Sequence, residues 1–110
     1  MIKVHYDTEG DLLEIQFAQS SGPRRGIGLT EQITIFYDEQ LHTPLGLTAV
    51  SYLKLLSLSK HPFTELLDAP SDVQQKVKQS LQRDPLSRFI HLHADGFELE
   101  DIRMSKLVHP

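Results

Sequence analysis

The fold of this chain is predicted by residues 2–17, which read IKVHYDTEGDLLEIQF. Apolar and polar side chains alternate on both sides of a polar turn, and this period of two is typical of strands with one buried face. Asp7 and Gly10 suit the turn, because aspartate bonds its own backbone two residues on and glycine accepts a positive φ. We therefore expect an antiparallel hairpin at the start of the chain.

The same plan returns later in the sequence. The dipeptide Tyr-Asp, which ends the first strand, occurs again at residues 37–38, after alternation over residues 32–37. A further apolar run at residues 45–50 follows a longer turn, and Gly46 within it predicts a bulge or a close approach of backbones. Between the two units, residues 19–26 are rich in turn formers and are expected to form a polar loop.

The second half of the chain predicts one clear helix. Val73, Val77 and Leu81 recur at a spacing of four, which gives an apolar stripe on a helix near residues 71–83. A helical turn or two is also expected around residues 53–58, where leucines cluster without alternating strictly.

The C-terminal segment returns to alternation. Residues 89–93 alternate, residues 94–96 suit a turn, and residues 97–99 suggest a partner strand. The patterns together predict an α+β fold, with an antiparallel meander of about four strands, a docked helix and a C-terminal hairpin or strand. The length of 110 residues suits a single domain over residues 1–110. Residues 2–56 would form the meander, and residues 57–110 the helix and a C-terminal extension.

Composition restricts the classes of function. The net charge of −4 disfavours nucleic acid as a partner of the chain on its own, since non-specific binding needs a basic surface. The chain has no cysteine, hence no disulfide framework and no thiolate zinc site, and we expect a cytoplasmic location. The apolar runs predict neither a signal peptide nor a membrane span.

Residues 2–17 resemble the opening of the bacterial family catalogued as domain of unknown function 2283. That family has an apolar strand, Tyr-Asp, three turn residues, Asp and a second apolar strand. Residues 33–38 and 45–47 are similar to its second half, so the resemblance covers about residues 2–56. The second turn is longer here, and Thr48 stands where the family usually carries glutamate. The resemblance implies a small antiparallel meander and an antitoxin-like role beside a small toxin-like partner.

The two Tyr-Asp pairs and the following aspartate are interpreted as structural turn positions: Tyr6, Asp7, Asp11, Tyr37 and Asp38. Aspartates used for acid–base catalysis need burial or a like-charged neighbour, whereas these lie in turns that should be exposed. A tyrosine at a strand end usually buries its ring and bonds its hydroxyl to a turn partner. A stacking platform for a base would need solvent-facing aromatics with basic neighbours, which neither tyrosine shows. No catalytic residue is assigned.

A second constellation lies in the C-terminal segment. His91 and His93 share one face of a strand, and Asp95 follows in the turn. A catalytic zinc needs about three protein ligands and an open position. These residues are therefore candidate metal ligands for an alternative function, a metal-binding protein or metal-dependent hydrolase. The competing interpretation is a solvent-facing strand edge, and no cofactor is predicted.

Residues 22–28, GPRRGIG, resemble a phosphate-binding loop only superficially. They match neither the dinucleotide-binding fingerprint nor the P-loop, and a strand follows instead of a helix. We expect a mobile loop in which Arg24 and Arg25 could contact an acidic partner.

The favoured function is therefore a non-catalytic protein-interaction or regulatory module. It would dock through a sheet edge or its C-terminal half onto a second copy or the product of a neighbouring gene. A ligand-binding regulator is a third class, because a small pocket leaves no mark on the sequence.

Overall fold

The computed structural model describes residues 2–19, 22–58, 60–92, 96 and 98–100. Its strands and helices, in chain order, are β1 (Lys3–Asp7), β2 (Leu12–Gln16), β3 (Arg24–Gly28), β4 (Ile33–Asp38), β5 (Pro44–Val50), α1 (Tyr52–Ser57), β6 (His61–Pro62), α2 (Ser71–Leu81), β7 (His91–Leu92) and β8 (Glu98–Glu100). Short 3₁₀ turns at Glu65–Asp68 and Leu86–Arg88 flank α2.

The first five strands form one antiparallel sheet in the order β1-β2-β5-β4-β3. A β1–β2 hairpin and a β3–β4–β5 meander are joined because β2 pairs with β5. A second, small sheet has the order β6-β8-β7 and contains the C-terminal strand pair. The α+β class, the docked helix and the C-terminal hairpin are confirmed, while the main sheet has five strands where the sequence predicts about four.

The fifth strand corrects the predicted mobile loop. Arg24 and Arg25 lie in edge strand β3, which pairs with β4 over five residues, from Arg24 opposite Asp38 to Gly28 opposite Thr34. Glycines at alternate positions remove the apolar alternation by which a strand is recognised. Pairing with β4, and not intrinsic propensity, therefore creates this strand.

Gly46 lies at the irregularity that its position predicts. Phe36 is opposite Gly46 and Tyr37 is opposite Pro44, so Leu45 is an extra residue and β5 bulges there. A Cβ atom at Gly46 would lie 2.9 Å from the carbonyl oxygen of Ile15. Both the predicted bulge and the predicted close approach are confirmed.

Alternation gives the main sheet two unlike faces. One face is buried and packs into the same core as the apolar stripe of α2. Its main side chains are Leu13, Ile15, Ile33, Ile35, Tyr37, Leu47 and Ala49. The opposite face, here called the open face, carries side chains that are exposed or half-buried. They are Lys3, His5, Glu14, Gln16, Thr34, Phe36 and Thr48.

A buried hydrogen bond attaches α2 to the central part of the sheet. The hydroxyl of Tyr37, a fully buried residue, lies 2.7 Å from Ser80 Oγ. Ser80 Oγ donates its proton to the carbonyl oxygen of Val77 at 2.7 Å, so Tyr37 is the donor of the pair. Burial raises the pKa of Tyr37 to about 12, and the hydroxyl therefore keeps the proton that it donates.

Removing the Ser80 hydroxyl and removing the Tyr37 hydroxyl should lower the free energy of unfolding by different amounts. Ser80→Ala is expected to lower the free energy of unfolding by roughly 1–3 kcal/mol, because the buried Tyr37 hydroxyl loses its acceptor. Tyr37→Phe should cost only about 1 kcal/mol, since Ser80 still bonds Val77, and the double variant should cost less than the sum. Urea unfolding measures the free energy of unfolding of the two single variants and the double variant. Gln79→Ala, at an exposed position of the same helix, is the control, and a Ser80→Ala cost no larger than this control would contradict the assignment.

Candidate functional site

The first Tyr-Asp unit holds helix α1 in place. Tyr6 donates its hydroxyl proton to Asp11 Oδ1 at 2.6 Å, and this bond is the main reason that the pKa of Tyr6 is raised to about 12. The backbone N–H of Leu53 donates to the Asp11 carboxylate at 3.1 Å, and that of Tyr52 donates to the Asp11 carbonyl oxygen at 3.1 Å. Asp11 therefore satisfies two free N–H groups at the start of α1.

Asp7 and Asp38 each bond backbone groups within their own turns. Asp7 Oδ1 accepts from the N–H of Glu9 at 3.1 Å. Asp38 Oδ1 accepts from the N–H groups of Thr43 and His42 at 2.9 and 2.7 Å. The Thr43 bond is the main reason that the pKa of Asp38 lies below its ordinary value. The five turn positions thus fall in two separate places, the β1–β2 turn and the β4–β5 turn, and form no joint carboxylate site.

The candidate metal ligands are only partly described by the structure. His91 is exposed on β7 and lies opposite Glu100 of β8. His93 and Asp95 lie outside the described residues, so the alternative metal function stays a prediction. Within the described part of the chain, no group of three or more histidine, cysteine, aspartate or glutamate side chains could hold a metal ion.

Apolar side chains are concentrated on the surface of α1 and its flanks. The described residues include six exposed large apolar side chains, and four of these lie between residues 50 and 58. We call this set the α1 patch: Val50, Leu53, Leu56 and Leu58, with exposed fractions of 44, 59, 37 and 42%. Single exposed leucines need no explanation, but a local concentration marks a candidate interaction surface.

The inner side of α1 explains why these leucines face outward. Tyr52 and Leu55 are buried, and the Tyr52 ring meets the Tyr6 ring edge-on with centroids 5.7 Å apart. Leu53 and Leu56 are three residues apart and therefore share another side of the helix. The segment from residue 50 to residue 60 contains Lys54 and Lys60 and no acidic residue. The α1 patch thus lies in a segment whose own charged residues are two lysines, while the Asp11 carboxylate lies at the start of the helix.

A groove crosses the open face of the sheet. Its volume is about 700 Å³. Its lining includes Lys3, His5, Glu14, Gln16, Arg24, Phe36, Gly46 and Thr48, together with residues 18–19. We call it the open-face groove. Its volume lies in the range of sites for small ligands, roughly 300–1,000 Å³.

Phe36 contributes a phenyl ring to this groove. It lies in register between Gly26 on β3 and Gly46 on β5. A Cβ at Gly26 would come within 3.0 Å of the Phe36 ring, so the glycine leaves the space that the ring uses. The guanidinium carbon of Arg24 stands 4.5 Å from the ring centroid, which is a cation–π contact.

Comparisons with protein-family models, curated proteins and solved structures found no match to this chain. The described helices include none that is long and apolar enough to cross a membrane.

Sequence reasoning missed both surfaces. Alternation along β4 does place Phe36 on the side opposite Tyr37, which is the available signal for the open-face groove. The sequence pattern places Arg24, which contacts the Phe36 ring, in a loop. The pattern therefore does not show that this aromatic residue has a basic neighbour. The leucines of α1 give no signal, because a two-turn helix is too short for its buried and exposed sides to be separated by pattern.

The role of Asp11 can be tested with two substitutions. Asp11 has a left-handed backbone, with φ of 50°. The Asp11→Asn variant keeps an acceptor oxygen and tolerates this backbone, whereas Asp11→Ala loses the acceptor and is strained there. Asp11→Ala should lower the free energy of unfolding by about 1–2 kcal/mol, and Asp11→Asn by clearly less. Hydrogen exchange at the Leu53 amide should accelerate only in Asp11→Ala. Equal free energies of unfolding and equal exchange rates at the Leu53 amide in the two variants would show that Asp11 does not hold α1.

Proposed function

We propose that this chain is a non-catalytic protein-interaction module that binds a partner protein through the α1 patch. The observation that supports the proposal is the concentration of four exposed apolar side chains within residues 50–58. At roughly 25 cal/mol per Å² of apolar surface removed from water, such side chains favour association when a complementary surface covers them. Asp11 holds α1 from its first turn, so the patch is presented on a fixed helix.

The partner should have an apolar centre and an acidic rim. Lys54 and Lys60 are the charged residues of the segment, and acidic groups around the contact would complement them. A second copy of this chain is a further candidate partner, because a symmetric dimer would cover the same apolar patch on both copies. The narrower form of the proposal is the antitoxin-like role in the bacterial cytoplasm, with a small toxin-like product of a neighbouring gene as partner.

A sheet edge is one of the two docking modes that the sequence predicts, the C-terminal half being the other. Within the described part of the chain, β1 and β3 are the outer strands of the main sheet. Lys3, Arg24 and Arg25 place cations on these edges, and charges on an edge strand oppose pairing with another strand. We therefore place the contact at the α1 patch, where four large apolar side chains are exposed.

The proposal predicts loss of partner binding when the α1 patch is made polar. Tagged wild-type protein should capture a partner from its source cells or form a dimer, as measured by light scattering after size exclusion. Leu53→Ser/Leu56→Ser should weaken that complex at least about tenfold, since two apolar side chains of a small interface are removed. Its thermal stability should stay close to that of the wild type, because both leucines are exposed.

Leu67→Ser is the matched control. Leu67 is 49% exposed but lies on the first 3₁₀ turn, outside the α1 patch. The control should bind as the wild type does. A wild-type protein that stays monomeric and captures no partner would contradict the proposal. Equal loss in the control and in the double variant would show that the contact lies elsewhere.

A further inference from the structure

We propose that the open-face groove is a binding site for a small planar anion, a flat ring that carries a phosphate or carboxylate group. This site is separate from the α1 patch, and its residues come from β1, β2, β3, β4 and β5. The proposal rests on the shape of the floor, the stacked arginine and the charges of the lining.

The floor of the groove allows a flat group to approach the sheet closely. Gly46 belongs to the central strand β5 and carries no side chain over the groove. Next to it in the same row, Phe36 rises from β4, and Gln16 lies opposite on β2. Gly46 itself is buried, so a ring would lie above this row, between the Phe36 ring on one side and the Gln16 amide on the other.

Arg24 lies beside an aromatic ring and is exposed to solvent. Its guanidinium carbon is 4.5 Å from the centre of the Phe36 ring, and guanidinium groups can stack on flat rings such as that of a ligand. Within the described residues, Arg24 makes no ion pair, although Asp38 lies opposite it in the strand register. The N–H groups of the guanidinium are thus available for a phosphate or carboxylate, which they bind in bidentate geometry.

The charges of the lining favour an anion. Lys3 and Arg24 carry positive charges, and among the described residues Glu14 is the only acidic one that lines the groove. The chain as a whole carries a net charge of −4, so basic groups are concentrated here against the overall balance. Lys3 and Arg24 belong to the two outer strands, β1 and β3, and both line the groove. The axes of these strands are about 19 Å apart, because four spacings of about 4.8 Å separate them.

The remaining polar groups suit the edge of a heterocyclic ring. Glu14 provides acceptors, Thr48 a hydroxyl, and Gln16 both a donor and an acceptor. A ring with donors and acceptors along its edge, such as a nucleobase, can pair with these groups while its anionic substituent meets Lys3 or Arg24. Aromatic and arginine planes on an open sheet face, combined with basic side chains, are a recurrent way to hold nucleotides.

The test is a titration of the full-length protein followed by amide NMR shifts. The probes are the four ribonucleoside 5′-monophosphates and benzoate, with adenosine and inorganic phosphate as probes that carry only a ring or only an anion. At least one of the ring-bearing anions should shift the amides of Arg24, Phe36 and Gly46 with a submillimolar Kd. The adenosine and phosphate probes should bind at least tenfold more weakly.

Two variants connect the binding to the proposed groups. Arg24→Ala should weaken the best ring-bearing anion at least tenfold. Lys76→Ala removes the same charge from the exposed side of α2 and should leave its Kd unchanged. Circular dichroism establishes that both variants are folded. A short single-stranded RNA that binds more tightly than the mononucleotides would identify a polymer as the source of the ring and phosphate, and the reverse order would identify a free nucleotide.

Three results would overturn the inference. One is the absence of shifts at the groove with every ring-bearing anion. The second is equal binding by wild type and Arg24→Ala. The third is binding of an acidic peptide such as hexaglutamate with no binding of the ring-bearing probes, which would make the groove a peptide site.

Discussion

The two-faced sheet depends on the burial of one side of β4, which carries Ile33, Ile35 and Tyr37. This side also makes the hydrogen bond from Tyr37 to Ser80. This bond attaches α2 to β4 inside the core, where an unpaired hydroxyl would be costly. Because side chains alternate along a strand, fixing Tyr37 toward α2 also fixes Phe36 toward the opposite side. A slip of one residue would bury Phe36 and expose Tyr37. The position of Phe36 in the open-face groove is thus a consequence of the burial of its strand neighbours on the other face of the sheet.

The first tyrosine acts in a parallel way on the second surface. Tyr6 bonds Asp11, and Asp11 bonds the first N–H groups of α1, so the hairpin turn sets the orientation of the helix. Tyr52 lies on the inner side of the helix and is buried, whereas Leu53 is exposed to solvent. Each Tyr-Asp pair therefore closes a turn with its aspartate and positions a helix with its tyrosine hydroxyl. The aspartates that would suggest paired catalytic carboxylates instead bond backbone N–H groups in two turns and at the start of α1.

The local sequence pattern is sufficient to predict a strand or helix where one side of that element is buried over several turns or residues. Alternation predicts β1, β2, β4 and β5, and the spacing of four that Val77 shares with its neighbours predicts α2. It is insufficient for β3, because Gly26 and Gly28 carry no side chains that could alternate, and the strand exists through pairing with β4. The stacking of Arg24 on Phe36 joins residues of neighbouring strands, so it follows only from the register. The exposure of the α1 leucines likewise follows from how a short helix docks, which periodicity over six residues does not determine.

One face of the main sheet is packed into the core, while the side chains of the other are exposed or half-buried. Because the chain contains no cysteine, single cysteines can report on each face separately. We expect Glu14→Cys and Thr48→Cys to react with a thiol reagent at nearly the rate of a free thiol. Their sequence neighbours, as Ile15→Cys and Leu47→Cys, should react at least about a hundredfold more slowly, because reaction there requires opening of the core. Protection of residues 14 and 48 to the same degree as residues 15 and 47 would show that the open face is covered. That result would contradict the assignment of one packed and one open face to the main sheet.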